Sequence, residues 1–444
     1  MAKKSFNPAS LLKHLTPHLN ANRWLVGFSG GVDSTVLLYS LKQLAVKHPL
    51  PPLLAVHINH HLSPDSDQWA QQCDEFCRLH HIEFQSCDVS LSNIHTIGIE
   101  AAARAARYQQ FEQLLAENEC LLLGHHQNDQ AETLLLQTLR GGGVHGLAAM
   151  PHSKLLGKGI MLRPILQYPR SVLEAYVRDN QLQWIEDPGN YHQQHERNFI
   201  RHQVLPQLQQ RRSGVVEVLS RSASHFAQSA QILDEVGEND LRTIVADQST
   251  AINIPALRML SVARQHNVMR YWLHQQGFQF PNSRWIEQLF HSVIPAAEDR
   301  SPVLELDGGE IRRFRQQLYL LAPTPTPPEM LILSQWKKTV ELPVGMGNMV
   351  INMVSGRGIA QHFLYNASRV ELVWRKGGET IVLKDGHHHQ LKKLFQQKAI
   401  PPWERDLIPL IQIDGELAQV ASHWTDNKFK ASGNETGVEF AWWR

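Results

Sequence analysis

Four short apolar runs, residues 24–28, 53–59, 83–89 and 120–124, each give way to glycine or polar residues, and helical patterns over 34–47, 65–80 and 100–117 separate them. This alternation constrains the chain more than any other feature. Strands covered on both faces read as near-continuous apolar runs, and parallel neighbours need helical crossovers. The expected fold class is therefore α/β, with a doubly wound, mostly parallel Rossmann-like sheet in the N-terminal domain. Ligands of such sheets bind beyond the carboxyl ends of the strands. The stretch FSGGVDST, residues 28–35, stands at that place, directly after the first run.

Gly30 and Gly31 can take backbone angles that turn successive N–H groups toward one point. A helix beginning near Ser34 adds its positive dipole end, so the turn suits a phosphate better than an ordinary strand-to-helix connection requires. It is not a Walker A loop, because no lysine stands in it. The stretch resembles the pyrophosphate loop of the ATP pyrophosphatases, which transfer the adenylyl group of ATP to a substrate oxygen. That resemblance implies ATP, held by Ser29, Gly30, Gly31, Val32, Asp33 and Ser34.

The fourth run ends in GHHQNDQAETLLLQTLRGGGVHGLAAM, residues 124–150. In a helix starting near Asn128, Asp129 and Glu132 share one face of the first turn, beside His125 and His126. Two carboxylates near a phosphate site suit Mg2+, which takes few protein carboxylates and completes its shell with phosphate oxygens and water. Taken alone, Asp129 would only favour the helix dipole and Glu132 would face solvent. Arg104 and Arg107 lie three apart on a helix, either as a solvated face or as partners for a phosphate or a cytosine edge. Between 197 and 216 stand Arg197, Arg201, Arg211 and Arg212 with no acidic residue, a stripe suited to RNA phosphates. His57, Asn59, His60 and His61 cluster after the second run, without the spaced Cys or His partners of a zinc site. Cys73 and Cys77 fall at helical spacing and are expected to be a reduced, partly buried pair.

The motif H-x-x-N-D-Q-x-E-T followed by R-G-x-G-x-x-G-L resembles the tRNA(Ile)-lysidine synthetases, with Asn128 where that family commonly has an aspartate. HINHHL (57–62), EAAARAARY (100–108), RPIL (163–166), WIEDPGNYHQQHERNFIRHQVLP (184–206), RKGGE (375–379), LKKLFQQKAIPPWERD (391–406) and GELAQVA (415–421) extend the match. The family adenylylates the C2 oxygen of the wobble cytidine in an isoleucine tRNA with anticodon CAU. The amine of free L-lysine then attacks C2 and AMP leaves, so that the tRNA reads AUA and accepts isoleucine. The resemblance implies catalytic roles for Asp33, Asp129, Glu132 and Arg197, with Mg2+ on Asp129 and Glu132 and ATP contacts from His57 and His125. It implies tRNA contacts by Arg104, Arg107, Asn198, Arg201, Lys392 and Lys393. A tRNA thiolase would share the first motif, but its chemistry usually needs paired cysteines, and no C-x-x-C is present. An RNA-binding module using ATP as a structural ligand is the other class of reading.

The expected domains are a catalytic pyrophosphate-loop domain over 1–214, a small helical domain over 215–321, a proline-rich linker over 322–330 (APTPTPPEM) and a C-terminal α+β tRNA-binding domain over 331–444, with one helix in HHQLKKLFQQKA. A net charge of +1 leaves RNA binding to local basic patches. No apolar run approaches the roughly 18–20 residues of a membrane span, and a cytoplasmic protein without membrane partners is expected. Oligomeric state, a homodimer included, is left open. The glycines of RGGGVHGL, residues 140–147, permit closure over the site. Closure is expected to protect this segment from limited proteolysis when ATP and tRNA are added, and equal cleavage with and without them would count against it.

Overall fold

The computed structural model describes residues 6–443 apart from 93–97, 192–195, 246–250, 279–282, 298–299, 301 and 334–338, so part of the 184–206 motif lies outside the described residues. The chain divides into two compact units, Met1–Leu233 and Asp234–Arg444. In the first, strands β1 (Arg23–Gly27), β2 (Leu53–Asn59), β3 (Glu83–Asp88) and β4 (Glu119–Leu122) alternate with helices α1 (Val32–Lys47), α2 (Ser66–Leu79) and α3 (Ile99–Leu114). Helix α4 (Gln127–Leu139), the hairpin β5 (Ser153–Leu156) and β6 (Gly159–Leu162), and α5 (Arg170–Asp179) follow.

The six strands lie in the order β3-β2-β1-β4-β6-β5, parallel except for the antiparallel β5–β6 pair. Alternation along β1 explains why both faces are covered: Trp24 and Val26 enter one core with Leu37, Leu38 and Leu41 of α1, while Leu25 enters the other with Val56, Phe111 and Leu121. The chain runs from β1 outward to β3, then returns to place β4 on the other side of β1. The crevice between β1 and β4 is thus the switch point of the sheet.

The second unit holds antiparallel sheets. Residues 215–321, expected to be helical, do contain the helices Val215–Ile244, Ile254–Met259 and Val262–Gln275, but also a sheet of Ile252–Asn253, Gln317–Leu321, Gly309–Phe314 and Val303–Leu306. The strand GEIRRF escaped notice because its inward positions include an arginine. Arg313 is buried, donating through Nη1 to Ile294 O at 2.7 Å and through Nε to Arg315 O at 3.0 Å. Toward the C-terminus, Thr436–Trp443 pairs along the whole of Asn348–Ser355, and the expected helix over 388–399 is shorter. His388–Gln390 is a strand paired with Thr380–Val382, and only Leu391–Gln397 is helical. The ring of Trp403 meets Phe314 and Tyr319 at centroid distances of 6.0 and 5.2 Å, with the Arg312 guanidinium 5.9 Å from it. Among the described residues no helix is long and apolar enough to cross a membrane.

The turn after β1 depends on Gly30, whose φ is +77° and whose absent Cβ would come within 2.3 Å of Ile185 Cδ1. Gly31 has an ordinary φ of −69° and would place a Cβ no closer than 3.5 Å to Ser29 Oγ. Gly30→Ala is therefore expected to lower stability by at least about 1–2 kcal/mol, the cost of the left-handed backbone for an L-residue, with the clash against Ile185 added to it. Gly31→Ala should leave it nearly unchanged; urea midpoints measured at constant slope compare the two.

Candidate active site

Helix α1 begins at Val32 with Gly31 as its N-cap and no side-chain cap. The amides of its first turn have no acceptor within the helix, and the helix dipole adds a partial positive charge to them. Around this helix end the turn is tied internally. Ser34 Oγ donates to Gly31 O at 3.0 Å and lies 3.2 Å from Ser29 Oγ, Thr35 Oγ1 donates to Gly30 O at 3.2 Å, and Ile185 N donates to the same carbonyl at 2.9 Å. Gly124, just beyond β4, lets the two backbones meet: a Cβ there would stand 3.0 Å from both Asp33 C and Ser34 N.

A cavity of about 260 Å³ opens at this point. Ser29, Gly31, Asp33 and Ser34 line it from the turn, Val56 and Ile58 from β2, and Arg104, Arg107, Tyr108 and Phe111 from α3. Leu123, Gly124, His125 and Asp129 complete the opposite wall. The structure thus brings together both expected motifs and both arginines of α3. Arg104 lies with its guanidinium carbon 5.0 Å from the ring centre of Tyr108. His57 is not among the lining residues: it is buried with Nδ1 3.0 Å from Phe28 O, and burial holds its pKa below the usual value, so the neutral ring donates to that carbonyl. Lys392 and Lys393 lie in the second unit, exposed on the helix Leu391–Gln397.

Asp129 and Glu132 sit on the first turns of α4, facing residues 196–211, which run as Glu196–Phe199, a π turn Ile200–Val204 and Leu205–Arg211. Ala131 packs with Ile200 and Leu205 and holds these elements together. Arg197 and Arg201, four apart, therefore point at the carboxylates. Arg197 donates through Nε to Glu132 Oε2 and through Nη2 to Asp129 Oδ1, both at 2.8 Å. Arg201 donates through Nε to Glu132 Oε1 at 2.7 Å and through Nη2 to Glu132 Oε2 at 2.8 Å and Asp129 Oδ1 at 3.2 Å. The backbone N–H of His126 donates to Asp129 Oδ2 at 2.9 Å, half of a capping box.

Every oxygen expected to hold Mg2+ is consequently engaged by a donor, and the pair as arranged does not fit a cation. The spacing of Asp129 and Glu132 showed that they share a face, but not that two guanidiniums cover it. Arg201 likewise turns inward to the carboxylates, where a phosphate-facing stripe was expected. Asn198, on the same helical run as Arg197, donates through Nδ2 to Gly189 O at 3.4 Å.

His126, fully enclosed, bridges the two motifs: its Nε2 is 3.4 Å from Asp33 Oδ2 and its Nδ1 is 3.5 Å from Asp129 Oδ2. Burial alone would push its pKa down, but Asp129 and Asp33 hold it above the usual value. Burial opposes ionisation of Asp129 too, yet His126 and Arg197 hold its carboxyl well below the usual range. The other oxygen of Asp33, Oδ1, is buried with no hydrogen-bond partner. Asn128 Oδ1 accepts from Arg170 N at 3.1 Å and so anchors the start of α5, a contact that an aspartate oxygen would make as well. The cysteines are buried and free, and burial pushes the Cys73 and Cys77 thiols up to about 12.

Sequence comparison assigns these elements to known families. The PP-loop domain family matches residues 5–208, the TilS substrate binding domain 252–319 and the TilS substrate C-terminal domain 370–442. A tRNA(Ile)-lysidine synthase of Coxiella burnetii is 40% identical over 437 residues, 97% of this chain and 96% of that protein. Proteins of the same name from Legionella pneumophila (strain Lens) and Alkalilimnicola ehrlichii are each 38% identical, over 91% and 96% of this chain and 92% and 95% of theirs.

Glu132 is 1% exposed, and among the described residues Arg201 is the donor at its Oε1. Arg201→Met is expected to cost about 3 kcal/mol by leaving that oxygen buried and unpaired. Adding Glu132→Gln should recover part of the loss in a double-mutant cycle. Because the folded pKa of Asp129 is depressed, its contribution is present above the ordinary carboxyl value of about 4 and is lost as pH falls through the lower folded value. His126 acts in the opposite sense, contributing below its unfolded value of about 6.5 and losing that contribution as pH rises through its raised folded value. Asp129→Asn should therefore flatten the acid limb of the stability–pH curve.

Proposed function

The chain belongs to the tRNA(Ile)-lysidine synthase family and is an ATP-dependent tRNA-modifying ligase, and from that premise we propose that it joins lysine to C2 of the wobble cytidine of an isoleucine tRNA bearing the anticodon CAU. The observation that carries this reading is the convergence, on one cavity, of an uncapped helix N-terminus, the arginines of α3 and the Asp33–His126–Asp129 chain.

In this reading the turn from Ser29 to Ser34 receives the pyrophosphate of ATP, because free amides at a helix N-terminus match phosphate oxygens. ATP enters as its Mg2+ complex, the cation carried by the triphosphate oxygens. Arg104 and Arg107 neutralise a phosphate or hold the cytosine edge from the facing helix. The C2 oxygen of the cytidine attacks the α-phosphorus and pyrophosphate leaves. The neutral amine of lysine then forms the N–C2 bond, the C2–O bond breaks, and AMP departs.

The amine must shed a proton, and Asp33, which lines the cavity, is the carboxylate proposed to take it. Asp129 and Glu132 receive the ammonium of lysine only by exchanging it for a guanidinium of Arg197 or Arg201, cation for cation. Asn198 on the same run, and exposed Lys392 and Lys393 in the second unit, are proposed to contact tRNA, the lysines at its phosphates, where contacts give affinity and register without reading sequence. The setting is proposed to be the cytoplasm, where ATP, lysine and tRNA occur together.

Incubation with ATP, Mg2+, radiolabelled lysine and a CAU-anticodon isoleucine tRNA transcript is expected to give acid-precipitable label that disappears when the wobble cytidine is replaced. Pyrophosphate release on adding tRNA, without lysine incorporation, would keep the adenylylation and overturn the lysine assignment.

A further inference from the structure

Arg163, the residue after β6, is 4% exposed and makes no ion pair among the described residues. A buried guanidinium without a carboxylate is costly, and three donors are spent on neutral acceptors. Nη1 donates to Pro151 O at 2.7 Å, Nη2 to Met161 Sδ at 3.6 Å, and Nε to His125 Nδ1 at 3.3 Å. The last contact has a chemical consequence. A guanidinium has donors only, so the nitrogen it faces must present a lone pair, and the imidazole proton must sit on the other nitrogen. His125 lines the cavity.

We propose that Arg163 is a positioning residue that fixes His125 in its Nε2–H tautomer, so that His125 offers one N–H donor to an anionic phosphate oxygen in the cavity. The assignment rests on the cavity being the nucleotide site. Burial, opposed by Asp129 and reinforced by Arg163, Arg197 and Arg104, pushes the His125 pKa down to about 3, so the ring stays neutral at physiological pH. A neutral donor orients a phosphate without adding a full charge to a site already lined by Arg104 and Arg107. Orientation of a histidine by a partner on its other nitrogen is the same device that fixes tautomers in metal and catalytic sites.

Two measurements test this on the full chain. Nitrogen NMR of histidine-labelled protein, with the His125 signals identified by their absence in His125→Gln, is expected to show Nδ1 as the bare nitrogen and Nε2 as protonated. That pattern should persist in Arg163→Lys, which keeps a donor, and give way to mixed tautomers in Arg163→Met. A proton on Nδ1 in the unaltered protein overturns the proposal. The second measurement is tRNA-dependent pyrophosphate release, and it holds even if Arg163→Met fails to fold. His125→Gln, whose amide nitrogen reaches the Nε2 position, should keep kcat within about tenfold, whereas His125→Asn, whose amide stops at the Nδ1 position, should lose about a hundredfold. Equal losses, or the reverse order, overturn the donor role. Absence of pyrophosphate release from the unaltered protein would instead sink the nucleotide reading, and the tautomer spectrum would still decide the part played by Arg163.

Discussion

The site depends on one close approach of backbone to backbone, where the end of β4 meets the start of α1 across Gly124. A methyl group there would press against Asp33 C and Ser34 N at 3.0 Å, so any side chain would force the strand and helix apart. Closeness at this point does two things at once. It sets the carboxyl ends of β1 and β4 against each other at the sheet's switch point, and it brings His125 and His126, the next residues of the chain, alongside the helix terminus. The phosphate-suited turn and the acidic helix are thus parts of a single construction with glycine at its joint.

Around that joint the charges are arranged in series. Asp33 and Asp129 flank His126, and Asp129 and Glu132 together face Arg197 and Arg201, so that each charge lies within ion-pair distance of an opposite one. Such a chain is stable buried because no charge lacks a partner, and it is sensitive for the same reason: removal or insertion of one charge is felt by all. A cationic substrate arriving here meets carboxylates that are already matched, so its binding is an exchange of cations and not a simple neutralisation.

The parts legible in the sequence were those set by local pattern. The four parallel strands showed because burial on both faces leaves long apolar runs, and the turn at Ser29–Ser34 showed because glycine and serine are dense there. What stayed hidden depended on partners distant in sequence. Arg197 and Arg201 looked like a basic stripe, since spacing gives the face of a helix and not what faces it. Arg313 disguised a strand as something else, because a charged residue at an inward position breaks the expected alternation. Arg163 stood in the matched RPIL segment without a role, because that role is defined by a histidine 38 positions away. The hairpin β5–β6 turns at Gly157 and Lys158, where short strands and a glycine-rich connection blur the period.

Trp403 bears on how the second unit is held together. Its ring is clasped by Phe314, Tyr319 and Arg312 from the strands just ahead of the proline stretch, although some eighty residues of chain lie between. The 303–321 sheet and the segment around Trp403 are thus tied by ring contacts as well as by the backbone through 322–330, and truncating the indole would remove a tie that the covalent connection does not replace.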